Sequence, residues 1–360
     1  MARGLGGARF RPTSGDNLSR SASAIAMTIS VSTGAESSFR GWLLEQSNLL
    51  SLAAIVGLLW AVFTALAPGF VSSFNLFAIS RSVAIDIVIA FSTMVVLATG
   101  GMNLAIGSIG VCSVMLVGYL MQAHGLSVPL ALAAGLVLGA LLGFANGAAI
   151  VLSGVNSFII TLASASLFAG GMLILTKATI YNGIPREIAS FGRMRWGFVS
   201  PLLLIALAIG AWLLVLFRYT ALGREILASG ANPRAAELSG VPVGRVTVIV
   251  HALSGLLAAS AGLMVMTWLG AAMPSVGQDW LLPSFLAPVL GGTLLAGGMV
   301  SVVGTVLGAL LVTTIRSGLL ILQVGNFWLQ LFLGLVLLVA VMLDRYRGLY
   351  AERRGLERSP

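Results

Sequence analysis

The feature that leaves this chain fewest choices is a series of long apolar runs, at 49–67, 83–99, 104–121, 128–152, 158–176, 198–217, 246–269, 281–296, 300–322 and 327–343. Most approach the ~20 residues a helix needs to cross the hydrocarbon core of a bilayer. In lipid each backbone N–H and C=O has to be paired within the protein, so runs of this kind fold as helices. The expectation is an all-α polytopic membrane protein of about ten transmembrane helices. The 281–322 region reads either as two spans or as one broken helix plus a whole one. Composition agrees: 58% of residues are apolar and 9% charged, against about 25% charge in a soluble domain.

The net charge of +9 does not mark a nucleic-acid partner. The basic residues are almost all Arg and sit at span ends and in tails, as in a membrane protein oriented by its positive loops, with lipid as its solvent. Arg3, Arg9, Arg11, Arg20 and Arg40 precede the first span; Arg218, Arg224, Arg234 and Arg245 lie in the loop 218–245; Arg345, Arg347, Arg353, Arg354 and Arg358 follow the last. An even number of spans puts all three sets, and both termini, on the cytoplasmic side. The loop 177–197 breaks this rule, carrying Lys177, Arg186, Arg193 and Arg195 on the outer side. Residues 1–45 read as a disordered, cytoplasmic N-terminal tail rich in Ser, Gly and Arg, 46–345 as the membrane domain, and 346–360 as a cytoplasmic C-terminal tail. Translation starts at Met1 or at Met27 on this reading.

The chemistry that is missing narrows the function. Cys112 is the sole cysteine, so no disulfide or thiolate metal site forms within the chain. His124 and His251 lie far apart without metal-ligand spacing, and a structural hydrogen bond is the default reading of His251. The chain has no phosphate-binding G-x-x-x-x-G-K-[ST] loop and no Ser/His/Asp set or paired carboxylates in the spans. Catalytic, metal and cofactor sites are therefore not expected. An ion-coupled transporter is disfavoured for want of a string of membrane carboxylates. Energy for uphill movement has to come from a partner.

Two Gly-rich interruptions stand out, GGMNLAIG at 100–107 and GGTLLAGG at 291–298. They share both leading glycines, the Leu and Ala at the fifth and sixth places, and the last Gly. Paired Gly-broken segments mark substrate paths, because unwound backbone in a bilayer is tolerated only inside protein or beside a cavity. Chance recurrence in a Gly-rich chain is the competing reading. Gly135, Gly139, Gly143 and Gly147 form one stripe along the 128–152 span, and Gly304 and Gly308 repeat the device; such faces let helices pack backbone to backbone. Packing within the chain is the preferred reading, a dimer interface the other. Charges inside spans need a reason. Arg81, near the outer end of its span, is expected to snorkel or to pair with Asp86, and Arg316 to snorkel, make a structural contact or face a water-filled path.

The stretch GREILASGANPRAAELSG (223–240) differs from everything around it. Gly223 opens a short helix that Gly230 ends. Asn232 is a good N-cap, Pro233 suits the first helical position, and Gly240 stands where a left-handed C-terminal cap is expected. Two helices this short are unstable alone. They lie on the membrane as a surface loop or dock as a knob on a cytoplasmic partner, and the second reading is preferred.

These residues resemble the cytoplasmic loop signature of the sugar-type permease subunits of bacterial ATP-binding-cassette importers, the ribose/xylose/arabinose/galactoside class. Gly223, Arg224, Ala228, Gly230, Asn232, Ala235, Ala236, Ser239 and Gly240 stand in the signature places. LATGGMNLAIGSIG (97–110), ANGAAIVLSGVNSFIITLAS (145–164), the Gly-rich segment 273–311 and IRSGLLIL (315–322) resemble further motifs of that class in the right order, over about residues 50–345. Three places depart from the usual pattern. Asn103 replaces an Asp, Asn156-Ser157 replaces Pro-Pro, and Trp280-Leu281-Leu282-Pro283 stands where an acidic Glu is usual.

The resemblance implies a multi-pass subunit of the bacterial inner membrane, with 46–345 as the permease domain and 218–245 as its coupling loop. It implies a cytoplasmic ATP-binding subunit docked on that loop, a periplasmic substrate-binding protein, and a second permease copy, identical or homologous. ATP hydrolysis then belongs to a separate subunit. The solute is a monosaccharide or related polyol, with branched-chain amino acids or nucleosides as the alternative cargo. Asn103, Ser108, Asn156, Thr161 and Thr293, polar groups at or beside the Gly-rich breaks, are the candidates for lining its path. Arg186, Arg193 and Arg195 are candidates for meeting acidic groups on the binding protein, or else lipid headgroups.

Overall fold

A computed structural model describes residues 49–323 without interruption and, beyond them, positions 328, 330, 331, 334, 335, 338 and 342. The expected tails 1–45 and 346–360, the choice between Met1 and Met27, and most of the run 327–343 lie outside the described residues. Helices dominate: α1 (Leu49–Leu66), α2 (Ser73–Leu97), α3 (Ile106–His124), α4 (Val128–Ser153), α5 (Ser157–Thr176), α6 (Arg186–Arg193), α7 (Pro201–Tyr219), α8 (Ala221–Ala231), α9 (Pro233–Leu238), α10 (Val243–Leu269), α11 (Leu281–Leu290) and α12 (Val302–Ile321). Eight of these, among the described residues, are long and apolar enough to cross a membrane: α1 to α5, α7, α10 and α12. The chain is thus an all-α polytopic membrane protein. The 281–322 region resolves into one half-length helix, α11, and one whole span, α12.

The turns between spans follow local chemistry. Ser72, Asn156, Ser200 and Ser301 cap α2, α5, α7 and α12 with their side-chain oxygens. Gly125, Gly154 and Gly270 close α3, α4 and α10 in the left-handed region. Both devices satisfy terminal groups that lipid would leave bare.

α2 is the hub. Residues 83–98 are buried without a break, as befits a helix apolar all round, and it packs against α7, α10, α11 and α12. The helix starts ten residues earlier than its apolar run, because its first turns carry polar groups that find partners. Asn75 Nδ2 donates to Phe70 O at 2.7 Å, and Ser80 Oγ accepts from Ser200 N at 3.0 Å. The stripe of α4 faces α3 and α10: a β-carbon on Gly135 would strike Val117 of α3, and β-carbons on Gly139, Gly143 and Gly147 would strike Ala259, His251 and Val248 of α10. The stripe is packing within the chain.

Of the contacts expected for the membrane charges, Arg316 makes the structural one and Arg81 does not make its pairing with Asp86. Asp86 takes Arg316, with Nη1 at 3.5 Å, and accepts from Thr313 Oγ1 at 2.7 Å. Arg81 does not reach it. Its guanidinium lies over the ring of Trp268 at 4.3 Å and that of Phe77 at 5.5 Å. Proximity in sequence favoured Arg81, but residues five apart on a helix point to different sides.

Candidate functional site

The stretch 223–240 forms the helix pair α8–α9 with one correction at each end of α8. The first helix does not open at Gly223. It begins at Ala221, capped by Thr220, whose Oγ1 accepts from Gly223 N at 3.0 Å. Nor does Gly230 end it, since α8 runs to Ala231. Asn232 caps α9 as expected, accepting from Ala235 N at 3.0 Å, and Gly240 follows with φ +85°.

Both misread glycines serve close approach instead. Gly223 lies on the carbonyl of Leu216, folding α8 back against the end of α7. Gly230 lies between the two Gly-rich breaks: a β-carbon there would overlap Ala98 O and sit 2.5 Å from Gly298 N. Those two atoms are themselves joined, Gly298 N donating to Ala98 O at 3.0 Å. Gly297, at φ +90°, in turn abuts the backbone of Gly100. The two interruptions that look alike in sequence therefore touch, and α8 rests on the contact.

The opposite face of this element is open. Arg224, Ala228, Asn232, Ala235, Ser239 and Gly240 are exposed, while Ala236 is buried. Leu238 is 86% exposed, an apolar side chain left uncovered by the described residues.

Polar side chains stitch the first break to its neighbours. Asn103 is fully buried. Its Nδ2 donates to Ser254 Oγ at 2.9 Å, and its Oδ1 accepts from Ala105 N at 3.0 Å. Ser254 also receives Ser92 Oγ on its carbonyl at 2.9 Å. Thr161 accepts from Leu104 N at 3.1 Å, and Ser157 Oγ from Met102 N at 2.9 Å. Ser108 Oγ donates to Ala165 O at 2.8 Å. Thr293 performs the same service in the second break, accepting from Ser301 N at 3.3 Å. Of the residues named from sequence, Asn103, Ser108 and Thr161 meet around one break, Asn156 caps α5 beside it, and Thr293 stands in the other.

A cavity of about 680 Å³ opens where α8–α9, the first break, α5 and α10 meet. Its lining includes Met102, Asn156, Ser157, Pro233, Thr247 and His251. His251 pairs through Nδ1 with Thr247 O at 2.9 Å, the structural bond expected of it, while its buried Nε2 has no partner among the described residues. Ser92, Ser157 and Ser254 carry no signal in sequence beyond being small polar residues in apolar surroundings. Only the fold brings them to the break.

The basic loop has a different geometry. Arg193, at the end of α6, donates from Nε to Trp268 O at 3.1 Å and from Nη2 to Leu269 O at 2.8 Å. It caps the last turn of α10, whose carbonyls lack helical partners. Arg195 binds Gly197 O at 2.7 Å and the Ser73 hydroxyl, and lies over Phe77. Arg186, at the first turn of α6, is exposed.

Known proteins resemble this chain along most of its length. The ribose import permease protein RbsC of Escherichia coli K12 is 32% identical over 331 residues, 88% of this chain and 99% of that protein. RbsC of Bacillus subtilis 168 is 37% identical over 290 residues, 80% of this chain and 89% of its own length. The autoinducer 2 import system permease protein LsrD of Escherichia coli SMS-3-5 is 34% identical over 302 residues, 81% and 90% of the two chains. No solved structure matches. Residues 75–342, which contain both Gly-rich breaks and the α8–α9 element between them, match the family described as branched-chain amino acid transport system / permease component, and the chain belongs to that family.

Proposed function

We propose that this chain is the membrane-spanning permease subunit of an ATP-driven importer for a monosaccharide or related polyol, of the kind that the ribose permeases represent. An ATP-binding subunit docks from the cytoplasm on the exposed face of α8–α9, a periplasmic binding protein delivers the solute, and a second permease copy completes the passage. The protein sits in the bacterial inner membrane with both termini in the cytoplasm, and the hydrolytic chemistry resides on the separate ATP-binding subunit. A sugar is preferred over branched-chain amino acids because the similar proteins above are named for ribose and autoinducer 2 import.

The observation that carries this reading is the seat of α8. Gly230 rests on Ala98 and Gly298, so a push on α8–α9 bears on both Gly-rich breaks at once. Asn103, Ser108, Thr161 and Thr293 hold the broken backbone that borders the passage, and Asn156 flanks its inner cavity. Arg186, whose side chain is exposed, is the foremost contact for the binding protein, with Arg193 and Arg195 as further candidates.

The test is reconstitution in proteoliposomes with the ATP-binding subunit and the binding protein, followed by uptake of labelled ribose. ATP-dependent accumulation that requires the binding protein supports the reading. Gradient-driven uptake by the permease alone would overturn it.

A further inference from the structure

The turn 274–279, which leads into α11, carries a charged group deep in the membrane. Ala272 forms paired backbone hydrogen bonds with Tyr181, and both meet Gly118 of α3. Five residues later Gly277 lies on the backbone of Gly107, near the other end of the same helix. The segment thus descends by about three turns of α3, roughly 16 Å. Trp280 then packs on Gly110, whose own surroundings include Ala258 O, close to the middle of α10. Since α10 crosses the membrane, Asp279 stands near mid-depth.

The pattern of burial in this turn is that of a water-facing surface. Val276 and Trp280 point inward and are buried, while Ser275, Gln278 and Asp279 are exposed. The surface of α4 at matching depth is the reverse, with Gly135 and Gly139 inward against α3 and α10 and apolar Val137 outward. Lipid accounts for the α4 pattern and rejects the other, because a carboxylate at mid-depth faces protein or a water-filled cavity. Asp279 also lacks the neutralisation its neighbour has. Arg316 is engaged with Asp86, and Asp279 has no ion-pair partner among the described residues. Non-helical backbone at this depth points the same way, since it is tolerated beside a cavity.

We infer that Asp279, with Gln278 beside it, lines the water-filled passage at mid-membrane and accepts hydrogen bonds from the hydroxyls of the solute in transit. A carboxylate offers two acceptor oxygens side by side and matches paired hydroxyls of a polyol. Gln278 adds both a donor and an acceptor. This assignment rests on the sugar-import reading for the identity of the solute, and not for the position of the passage.

Two measurements test it. The first needs no solute. In a Cys112→Ala background, Asp279→Cys and Val137→Cys are exposed to a charged, membrane-impermeant methanethiosulfonate, in the permease assembled with its ATP-binding subunit. Labelling of Asp279→Cys at least about tenfold faster than Val137→Cys is expected, because the thiolate that reacts forms in water. Equal rates would overturn the inference, whether lipid or a partner's side chain covers the site. The second compares uptake of labelled ribose by Asp279→Asn and Asp279→Ala. Losing a hydrogen bond to a charged group predicts about a tenfold fall for the Ala variant, with Asn between it and the parent. ATPase stimulation by the binding protein should be retained in both. Uptake at the parent rate in both variants would remove Asp279 from solute contact. If the parent protein itself takes up no ribose, the sugar reading fails by that result, while the labelling still decides where the passage runs.

Discussion

The two basic elements at opposite ends of the bundle look alike in sequence and are used in opposite ways. In α8–α9 the backbone faces inward: Gly223 and Gly230 seat the element on Leu216, Ala98 and Gly298, and Arg224 and Arg234 point out. In the loop after α5 the charges themselves are anchors. Arg193 holds the carbonyls of Trp268 and Leu269, and Arg195 holds Ser73 and Gly197. The difference shows that an Arg near a span end is free for a partner only where other atoms already satisfy the backbone. The side chains of Thr220 and Asn232 do that for α8–α9. At the end of α10, Gly270 N serves Met266 O, and the guanidinium serves the carbonyls of Trp268 and Leu269.

Breaking the glycine seat should have the largest effect. Gly230→Val forces a side chain into backbone on two sides, and overpacking of this kind costs about 3 kcal/mol. A marked fall in melting temperature and loss of coupled ATPase activity are expected; a variant with parental melting temperature and transport would show that the seat is not needed. The outer face of the same element comes next. Ala235→Trp and Leu238→Glu change exposed residues, so stability should hold while association with the ATP-binding subunit weakens by about tenfold or more. Co-purification at the parent level would place the docking surface elsewhere.

At the other end, Arg193→Ala strips two carbonyls of their donor and should cost about 1–2 kcal/mol in thermal stability, with or without the binding protein. If melting is unchanged and only stimulation by the binding protein falls, Arg193 is a docking residue after all and the contrast fails. Arg186→Glu is the mildest change. Its side chain is exposed, so melting should stay within about half a kcal/mol of the parent, the range of ordinary surface substitutions. Stimulation by the binding protein should fall modestly, and a salt titration that leaves both proteins equal would remove Arg186 from that interface.

Much of this was legible before any coordinates. Lipid imposes one rule on every span, so apolar length sufficed to mark α3, α4, α5, α7 and α10. The cap of α9 was legible because Asn-Pro has a local meaning. Gly230 was not, because the same residue ends helices and admits neighbours, and only the neighbours tell the two apart. The first ten residues of α2 were hidden by their polarity, which Phe70 satisfies from the preceding turn and Ser200 and Ser317 satisfy from distant parts of the chain. The hydrogen bonds of the polar candidates were not legible. Asn103, Ser108, Thr161 and Thr293 each spend hydrogen bonds on the fold, a property that depends on who stands opposite. Asp279 escaped notice because its depth follows from where Gly277 meets Gly107, not from any run of residues.

The joint at Gly230 contains almost no side chains. Ala98, Gly100, Gly230, Gly297 and Gly298 meet main chain to main chain, and such a joint has no rotamers to turn and no soft methylene stems to compress. Elsewhere in a protein, a small displacement is absorbed within a shell or two by side chains that change conformation. Here the contact is made directly with the peptide groups of two segments that belong to distant parts of the chain. If α8–α9 receives the push of the ATP-binding subunit, as proposed, these smallest residues are where it enters the membrane domain.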